Sequence, residues 1–415
     1  MRCTSSRQIV LNHLRELSRF PGFLPLITSR FISNVGNGLS PIALAYGVLS
    51  LKGSTGTDLS LVMTARIAPM IIFMLLGGVI GDRFKRNRIV GGSDVIGSLI
   101  SGAIAISFIT GFANIPLLCL MGGLFGVLNA LWWPAMSGVL PEILPNESLQ
   151  KGNAVVGLLS NFGFVLGALV GGTVVTLYGS GWALLVDAIT FMMAGLLVWN
   201  INLPPMPERE KNSMLRDLKI GWFEFIARSW VVAVVIGFTF MNLCFEATLS
   251  VLGPLAYNSG GHGPRNWSFN LAAITAGMIF GGIVSFKIHF PRPLVLGMLS
   301  IALVPIWIYS MGFELSLPIV LLGAFIAGIA VEIFTVVWGT SMQTNIPEQS
   351  RSRVMSYDAF GSYALAPIGI AFAGPVASWI GTPRTLVIAA SITLVAALLP
   401  LTLKSVRELK YKAAN

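Results

Sequence analysis

The chain has 415 residues, with 27 Lys+Arg and 17 Asp+Glu, so charged side chains make up 11% of it against the roughly 25% of ordinary soluble proteins. With 54% hydrophobic residues, so few charges cannot cover a water-soluble surface. Disorder, collagen-like repeats and a small disulfide-stapled scaffold are excluded by the same figures. A polytopic membrane protein fits: at about 20 apolar residues per crossing, twelve crossings use roughly 240 to 270 positions and leave only short loops and tails.

In chain order, the N-terminal stretch MRCTSSRQIVLNHLRELSRF carries Arg2, Arg7, Arg15 and Arg19 and lacks the apolar core and small-residue cleavage site of a signal peptide. A cytoplasmic tail is expected over 1–21. Six apolar segments follow near 22–50, 58–81, 89–110, 115–138, 151–178 and 182–202, forming a first bundle over 22–202. A polar linker occupies 203–229, where Leu215, Leu218, Trp222 and Phe225 are spaced like an amphipathic helix lying on the membrane, the plainer alternative being a simple tether. Six more segments near 230–256, 268–287, 293–312, 316–339, 354–379 and 383–403 form a second bundle over 230–403, before a cytoplasmic tail at 404–415. The spans are expected to be helices, because an open sheet cannot satisfy its backbone in lipid and barrel-type alternation is absent.

An even number of spans puts both termini on one side. With that side in the cytoplasm, 22 Lys+Arg fall inside and three outside (Lys52, Arg265 and Arg384), with Arg30 and Arg66 inside spans. This asymmetry sets the orientation. It also accounts for the net charge of +10 without nucleic acid as a partner. Cys3, Cys119 and Cys244 form no disulfide or metal framework, and His13, His262 and His289 show no metal-ligand spacing. No phosphate-cradling G-x-x-x-x-G-K-[ST] is present. No cofactor, metal or catalytic constellation is expected.

The halves look like repeats. Pro145 and Pro347, Ser160 and Ser362, Gly167 and Gly369, Gly172 and Gly374, and Gly179 and Gly381 all lie 202 positions apart, and Gly77-Gly78 and Gly281-Gly282 lie 204 apart. Two parallel six-helix repeats are a transporter architecture, with substrate bound near mid-membrane and opened alternately to each side.

The stretch 77–88, GGVIGDRFKRNR, places Asp82, Arg83, Lys85, Arg86 and Arg88 just after a glycine-ended span. It resembles the loop between spans two and three of the major facilitator superfamily, G-x-x-x-D-R-x-G-R-R, at Gly78, Asp82, Arg83 and Arg86, with Lys85 where a glycine is common. The bare alternative is a positive-inside stop signal. Other stretches resemble the macrolide-efflux, drug:proton antiporter branch. These are Ser33, Gly36 and Asn37 in span one, Ala65, Arg66 and Pro69 in span two, and Asp94 in span three. Trp133-Pro134-Ala135, Pro141, Pro145 and Gly152-Asn153 follow, then Asp187 in span six, and Pro347-Glu348 with Arg351 and Arg353. Asn37 stands where that pattern has an acid. Ala168, among Gly163, Gly167, Gly171 and Gly172, stands where the span-five export motif has a proline. The resemblance covers nearly the whole chain. It implies a twelve-helix major facilitator fold of two pseudo-symmetric bundles, with spans 1, 4, 7 and 10 lining the cavity. It also implies a conformational latch at Asp82, Arg83 and Arg86.

The residues add their own observation: those four spans carry polar stripes at helical spacing. They run Arg30, Asn34, Asn37; Gly126, Asn129, Trp133, Ser137; Thr239, Asn242, Glu246, Ser250; and Gly328, Glu332, Thr335. The competing reading is polar glue between helices. Ionisable residues inside spans cost about 2.5–3.5 kcal/mol on insertion scales and so need a partner, water or a function. Substrate contacts are therefore expected from Arg30, Asn34, Asn37, Asn129, Trp133, Asn242, Glu246 and Glu332, and proton coupling from Glu246 and Glu332. Conformational roles are expected at Arg66, Asp82, Arg83, Arg86 and Asp187, with Arg66 and Asp187 either ion-paired or gating. Asp94 and Asp358, near cytoplasmic ends, read as structural.

The expectation is a secondary transporter in the cytoplasmic membrane of a bacterium, not an enzyme. It would export an amphipathic small molecule in exchange for protons, act as a monomer and have membrane lipid as its surroundings. A siderophore or peptide-metabolite exporter is the nearest rival. A lipid flippase or a non-transporting receptor is the rival of another class.

Overall fold

The computed structural model describes residues 16–81, 84–203, 214–258, 263–285 and 291–410, and among them the chain is helical, with no strand. The first six long helices are α1 (Phe23–Leu49), α2 (Gly56–Gly81), α3 (Arg86–Ile109), α4 (Ile115–Ile143), α5 (Asn146–Tyr178) and α6 (Ser180–Trp199). A short helix, α7 (Met214–Ile226), precedes α8 (Ser229–Ala247), which runs through a π turn (Thr248–Leu252) into α9 (Gly253–Ala256). Then come α10 (Gly263–Ser285), α11 (Pro293–Ile301), α12 (Val304–Gly312), α13 (Leu317–Asn345), α14 (Glu348–Tyr363), α15 (Ala366–Ile380) and α16 (Thr382–Leu398). Eleven stretches among the described residues are long and apolar enough to cross a membrane. The first expected span, α1, has the length but falls outside that set, since Arg30, Asn34, Asn37 and three serines dilute its apolar character. The ninth and eleventh expected spans are each two helices, broken at Ala302-Leu303 and Ala364-Leu365, with Pro305 and Pro367 in the first turn of the helix that follows.

Helix ends follow from local chemistry. The Asn114 side chain accepts from the Leu117 N–H at 3.0 Å to cap α4, with a proline in its first turn. Gly179 and Gly381 close α5 and α15 with φ of 89° and 91°, a region that L side chains avoid. They are one of the pairs 202 positions apart. Large apolar side chains face outward in numbers, among them Ile72, Leu99, Leu177 and Trp379, as a lipid-facing surface requires.

Two compact units emerge. Unit 1 comprises 1–47 and 65–208; unit 2 comprises 48–64 and 209–415. Inside unit 1, α3 packs on α6 and α4. Helix α5 meets α1 through Gly167, where a Cβ would overlap the Val35 carbonyl, and α4 meets α2 through Gly126 on the Arg66 carbonyl. Without a hydrophobic drive between helices in lipid, such backbone contact is what holds spans together. Unit 2 repeats both devices, with Gly369 of α15 on the Leu243 carbonyl and Gly328 of α13 on the Ile274 carbonyl. The glycines are displaced by 202 positions and their partners by 208.

The first turns of α2 belong with unit 2, where the Gly374 N–H donates to Ser60 Oγ at 2.7 Å. Unit 2 also holds a buried aromatic core in which Trp267 and Trp307 stack at 6.1 Å. The Trp307 indole N–H donates to Asn270 at 3.0 Å and the Asn270 amide donates to Tyr257 at 3.2 Å. Helix α7 falls within the expected linker and docks on α14: Phe225 stacks on Tyr357 at 5.9 Å and Trp222 meets the same ring edge-on. The side chains of Leu215 and Leu218 lie outside the described residues.

Candidate functional site

Unit 1 lines a half-open cavity of about 550 Å³ from α1, α3, α4, α5 and α6, within the size range of small-molecule sites. Arg30, Asn34, Asn37, Asn129 and Trp133, read from the sequence as substrate contacts, all lie on its wall. Arg30 is only 8% exposed. Its guanidinium sits over the Trp132 ring, 4.5 Å from the centroid. Asn34 donates to the Arg30 carbonyl at 2.7 Å and Asn129 to the Phe125 carbonyl at 3.0 Å. Trp133 meets Trp132 edge-on at 5.6 Å and remains largely open.

Asp94 departs from its expected place. It is buried in the cavity wall and faces Arg30 electrostatically. The two make no direct ion pair. The buried Trp132 indole N–H stands toward the Asp94 carboxyl without reaching hydrogen-bond geometry, and Asp94 Oδ2 has no hydrogen-bond partner among the described residues. Reading the sequence missed Asp94 as a cavity residue, although the need of a membrane-buried Arg30 for a counter-charge was an available signal.

Arg66 and Asp187 also lie in unit 1, as electrostatic neighbours without an ion pair. Arg66 sits over the Phe125 ring at 4.6 Å. Asp187 is fully buried and accepts from Ser101 Oγ at 2.6 Å. Of the expected latch, Asp82 and Arg83 lie outside the described residues. Arg86 fastens the start of α3 to the end of α4, donating to the Gly138 carbonyl at 3.0 Å and meeting Glu142 at 3.3 Å.

The remaining expected residues are in unit 2. Asn242 is 4% exposed and donates to the Ser362 carbonyl at 3.0 Å. Thr239 bonds the Gly361 carbonyl at 2.8 Å. For these two the stripe on α8 joins it to α14. Glu246 is half-buried and makes no hydrogen bond or ion pair among the described residues; Tyr363 lies within its field. Glu332, also half-buried, packs over Gly281. Asp358 has donors of its own, Trp338 Nε1 at 2.9 Å and Ser362 Oγ at 3.4 Å. No group of three or more His, Cys, Asp or Glu suited to a metal occurs among the described residues.

A multi-pass helical membrane protein with a ligand-sized cavity of mainly apolar surface and a few polar side chains, lined by one helix bundle, has the build of a transporter. The chain belongs to the major facilitator superfamily, whose family model matches residues 26–362. It is 24% identical over 409 residues to the multidrug efflux pump Tap of Mycobacterium tuberculosis, covering 95% of this chain and 96% of that protein. It is 27% identical over 402 residues to the enterobactin exporter EntS of Escherichia coli, covering 90% and 91%. Among solved structures, the nucleoside transporter NupG aligns with a TM-score of 0.72 at 14% identity, covering 92% of this chain and 99% of that one. A bacterial homolog of the human lysosomal transporter Spinster, inward-facing and unoccupied, aligns with a TM-score of 0.68 at 15% identity, covering 95% and 98%. These two likenesses carry the fold alone.

Proposed function

We propose that this protein is a proton-coupled exporter of an amphipathic small molecule, working by alternating access in the cytoplasmic membrane of a bacterium with both termini inside. The observation that carries the reading is the cavity of unit 1, where open tryptophan surface and a few fixed polar groups line about 550 Å³. That is the composition of a site that holds an apolar body and orients it. Export is favoured by similarity to Tap and EntS, whose names describe efflux and export. Proton coupling is assigned to Glu246 and Glu332, carboxyls inside apolar helices with no hydrogen bond or ion pair among the described residues. A carboxyl opened to each side in turn can carry a proton inward, and about 100 mV on one charge is worth roughly 2.3 kcal/mol, about a 50-fold gradient. Asp82, Arg83 and Arg86 are assigned to the conformational latch, Arg66 and Asp187 to gating, and a single chain to the working unit. The two bundles, 22–202 and 230–403, are taken as its moving parts.

Transport into proteoliposomes under an imposed pH gradient tests this, with Glu246→Gln and Glu332→Gln alongside. Gradient-driven movement abolished by one substitution is the expected result. Movement indifferent to the gradient and to both substitutions overturns proton coupling. A second reading, a dedicated exporter of a siderophore-like metabolite, is favoured by the buried cation Arg30 in the cavity wall. It predicts accumulation of that metabolite in a deletion strain.

A further inference from the structure

The cavity of unit 1 has a definite polarity. Arg30 presents five N–H donors, is 8% exposed, and makes no hydrogen bond or ion pair among the described residues. A guanidinium in a cavity wall with no hydrogen-bonded partner keeps its donors available to a ligand that carries negative charge. Around it the amides are turned one way. The Asn34 and Asn129 nitrogens each donate to the carbonyl one turn back on their own helices. A carbonyl can only accept, so these bonds fix the orientation of both amides and leave each Oδ1 as the free end. Ser137 likewise donates to its own helix, at the Pro134 carbonyl, leaving oxygen lone pairs. The wall thus offers one cation, one facing carboxylate at Asp94 and several uncharged acceptors, with Trp133 open beside them.

We infer that this cavity binds an aromatic acid bearing hydroxyl or amide N–H donors: its anionic oxygens on Arg30, its donors on Asn34 and Asn129, its ring on Trp133. The inference rests on the export reading above and narrows its substrate class. A lipophilic cation would meet the like charge of Arg30 and leave its donors unused. Asp94, facing Arg30, sets how much positive field the ligand meets, so removing its charge strengthens the attraction.

The test is equilibrium binding to the purified full chain in nanodiscs, read by tryptophan fluorescence. The probes are 3-hydroxy-2-naphthoate, its methyl ester and tetraphenylphosphonium. The free acid is expected to bind about tenfold or more tighter than the ester, a difference of the size one charge-assisted contact supplies. Arg30→Gln should erase that preference, Arg30→Lys should retain part of it, and Asp94→Asn should tighten acid binding several-fold. Should Arg30→Gln fail to fold, Arg30→Lys and Asp94→Asn still decide, since they must move acid affinity in opposite directions while leaving the ester unmoved. Equal binding of acid and ester, or tightest binding by tetraphenylphosphonium, overturns the inference. The two readings fail separately. Gradient-driven export of the cation without acid preference sinks this one and leaves export standing; acid-selective binding without gradient-driven movement does the reverse.

Discussion

The two units use the same backbone contacts and fill them differently. With the offsets set by the glycine contacts, Arg30 corresponds to Phe238 and Trp132 to Phe334. In unit 1 a guanidinium lies over an indole at 4.5 Å; in unit 2 two phenyl rings stack at 4.2 Å. Met136 and Ser160 line the cavity of unit 1. Their counterparts Trp338 and Ser362 are engaged, Trp338 stacked on Phe334 and bonded to Asp358, and Ser362 holding Asn242 through its carbonyl. Asn34 and Asn242 correspond as well, yet one bonds its own helix in the cavity wall while the other bridges to α14. One scaffold thus yields a polar chamber in one half and a packed aromatic cluster in the other. The duplicated glycines specify where helices meet, and the side chains between them decide whether space is left.

The largest test strikes what the halves share. Gly167→Leu and Gly369→Leu should each cost more than about 3 kcal/mol, because the side chain meets backbone that cannot yield. The readout is loss of the monodisperse peak in size-exclusion chromatography. Gly157→Ala, at a position with nothing within 4 Å, should leave that peak unchanged. If all three behave alike, the shared contacts are not what holds the spans together. Next comes exchange of contents. Phe238→Arg should lower stability by about 2.5–3.5 kcal/mol, the cost of an unmatched charge in a span, whereas Arg30→Phe combined with Asp94→Asn, which removes both facing charges, should unfold at the native temperature or above it. Thermal unfolding followed by fluorescence checks both. Smaller still, Trp338→Phe removes a donor to Asp358 and should cost about 1–2 kcal/mol, while Trp132→Phe, which breaks no hydrogen bond, should stay within about 0.5 kcal/mol.

The smallest effect lies outside the spans. Glu224 accepts from Arg228 one turn away at 2.6 Å, and that bond holds its carboxyl below the usual carboxylate range. Its contribution is therefore present above that range and fades as pH falls through the lowered value. Glu224→Gln should narrow the gap between unfolding temperatures at neutral and acid pH only slightly, as suits an exposed pair on a helix.

Much of this was legible in the sequence because membrane spans are long, apolar and punctuated by charge. Arg30, Asn34 and Asn37 of the α1 stripe and Asn129, Trp133 and Ser137 of the α4 stripe line one cavity, on two of the spans that the family resemblance and the spacing together pointed to. Asn242 and Thr239 sit on an equally regular stripe and bond the backbone of α14 instead. Helical spacing gives the face on which a side chain lies and says nothing of whether a carbonyl or a void stands opposite, since that is set by a helix over a hundred residues away. Asp94 was misplaced for a related reason: its nearness to a helix end in sequence concealed a neighbour on α1.

The π turn at Thr248–Leu252 has a consequence for the phase of its helix. An added residue turns everything after it by about 100° relative to an uninterrupted α-helix. Before it, Asn242 is aimed at Ser362; after it, Gly253 lies flat against the Trp267 ring, a docking that an unbroken winding would aim elsewhere. The turn is a single-residue spacer that lets one span address two neighbours out of step with each other. Deleting one residue within 248–252 would rewind the span into phase and pull Gly253 off its indole, so this segment tolerates substitution far better than a change of length.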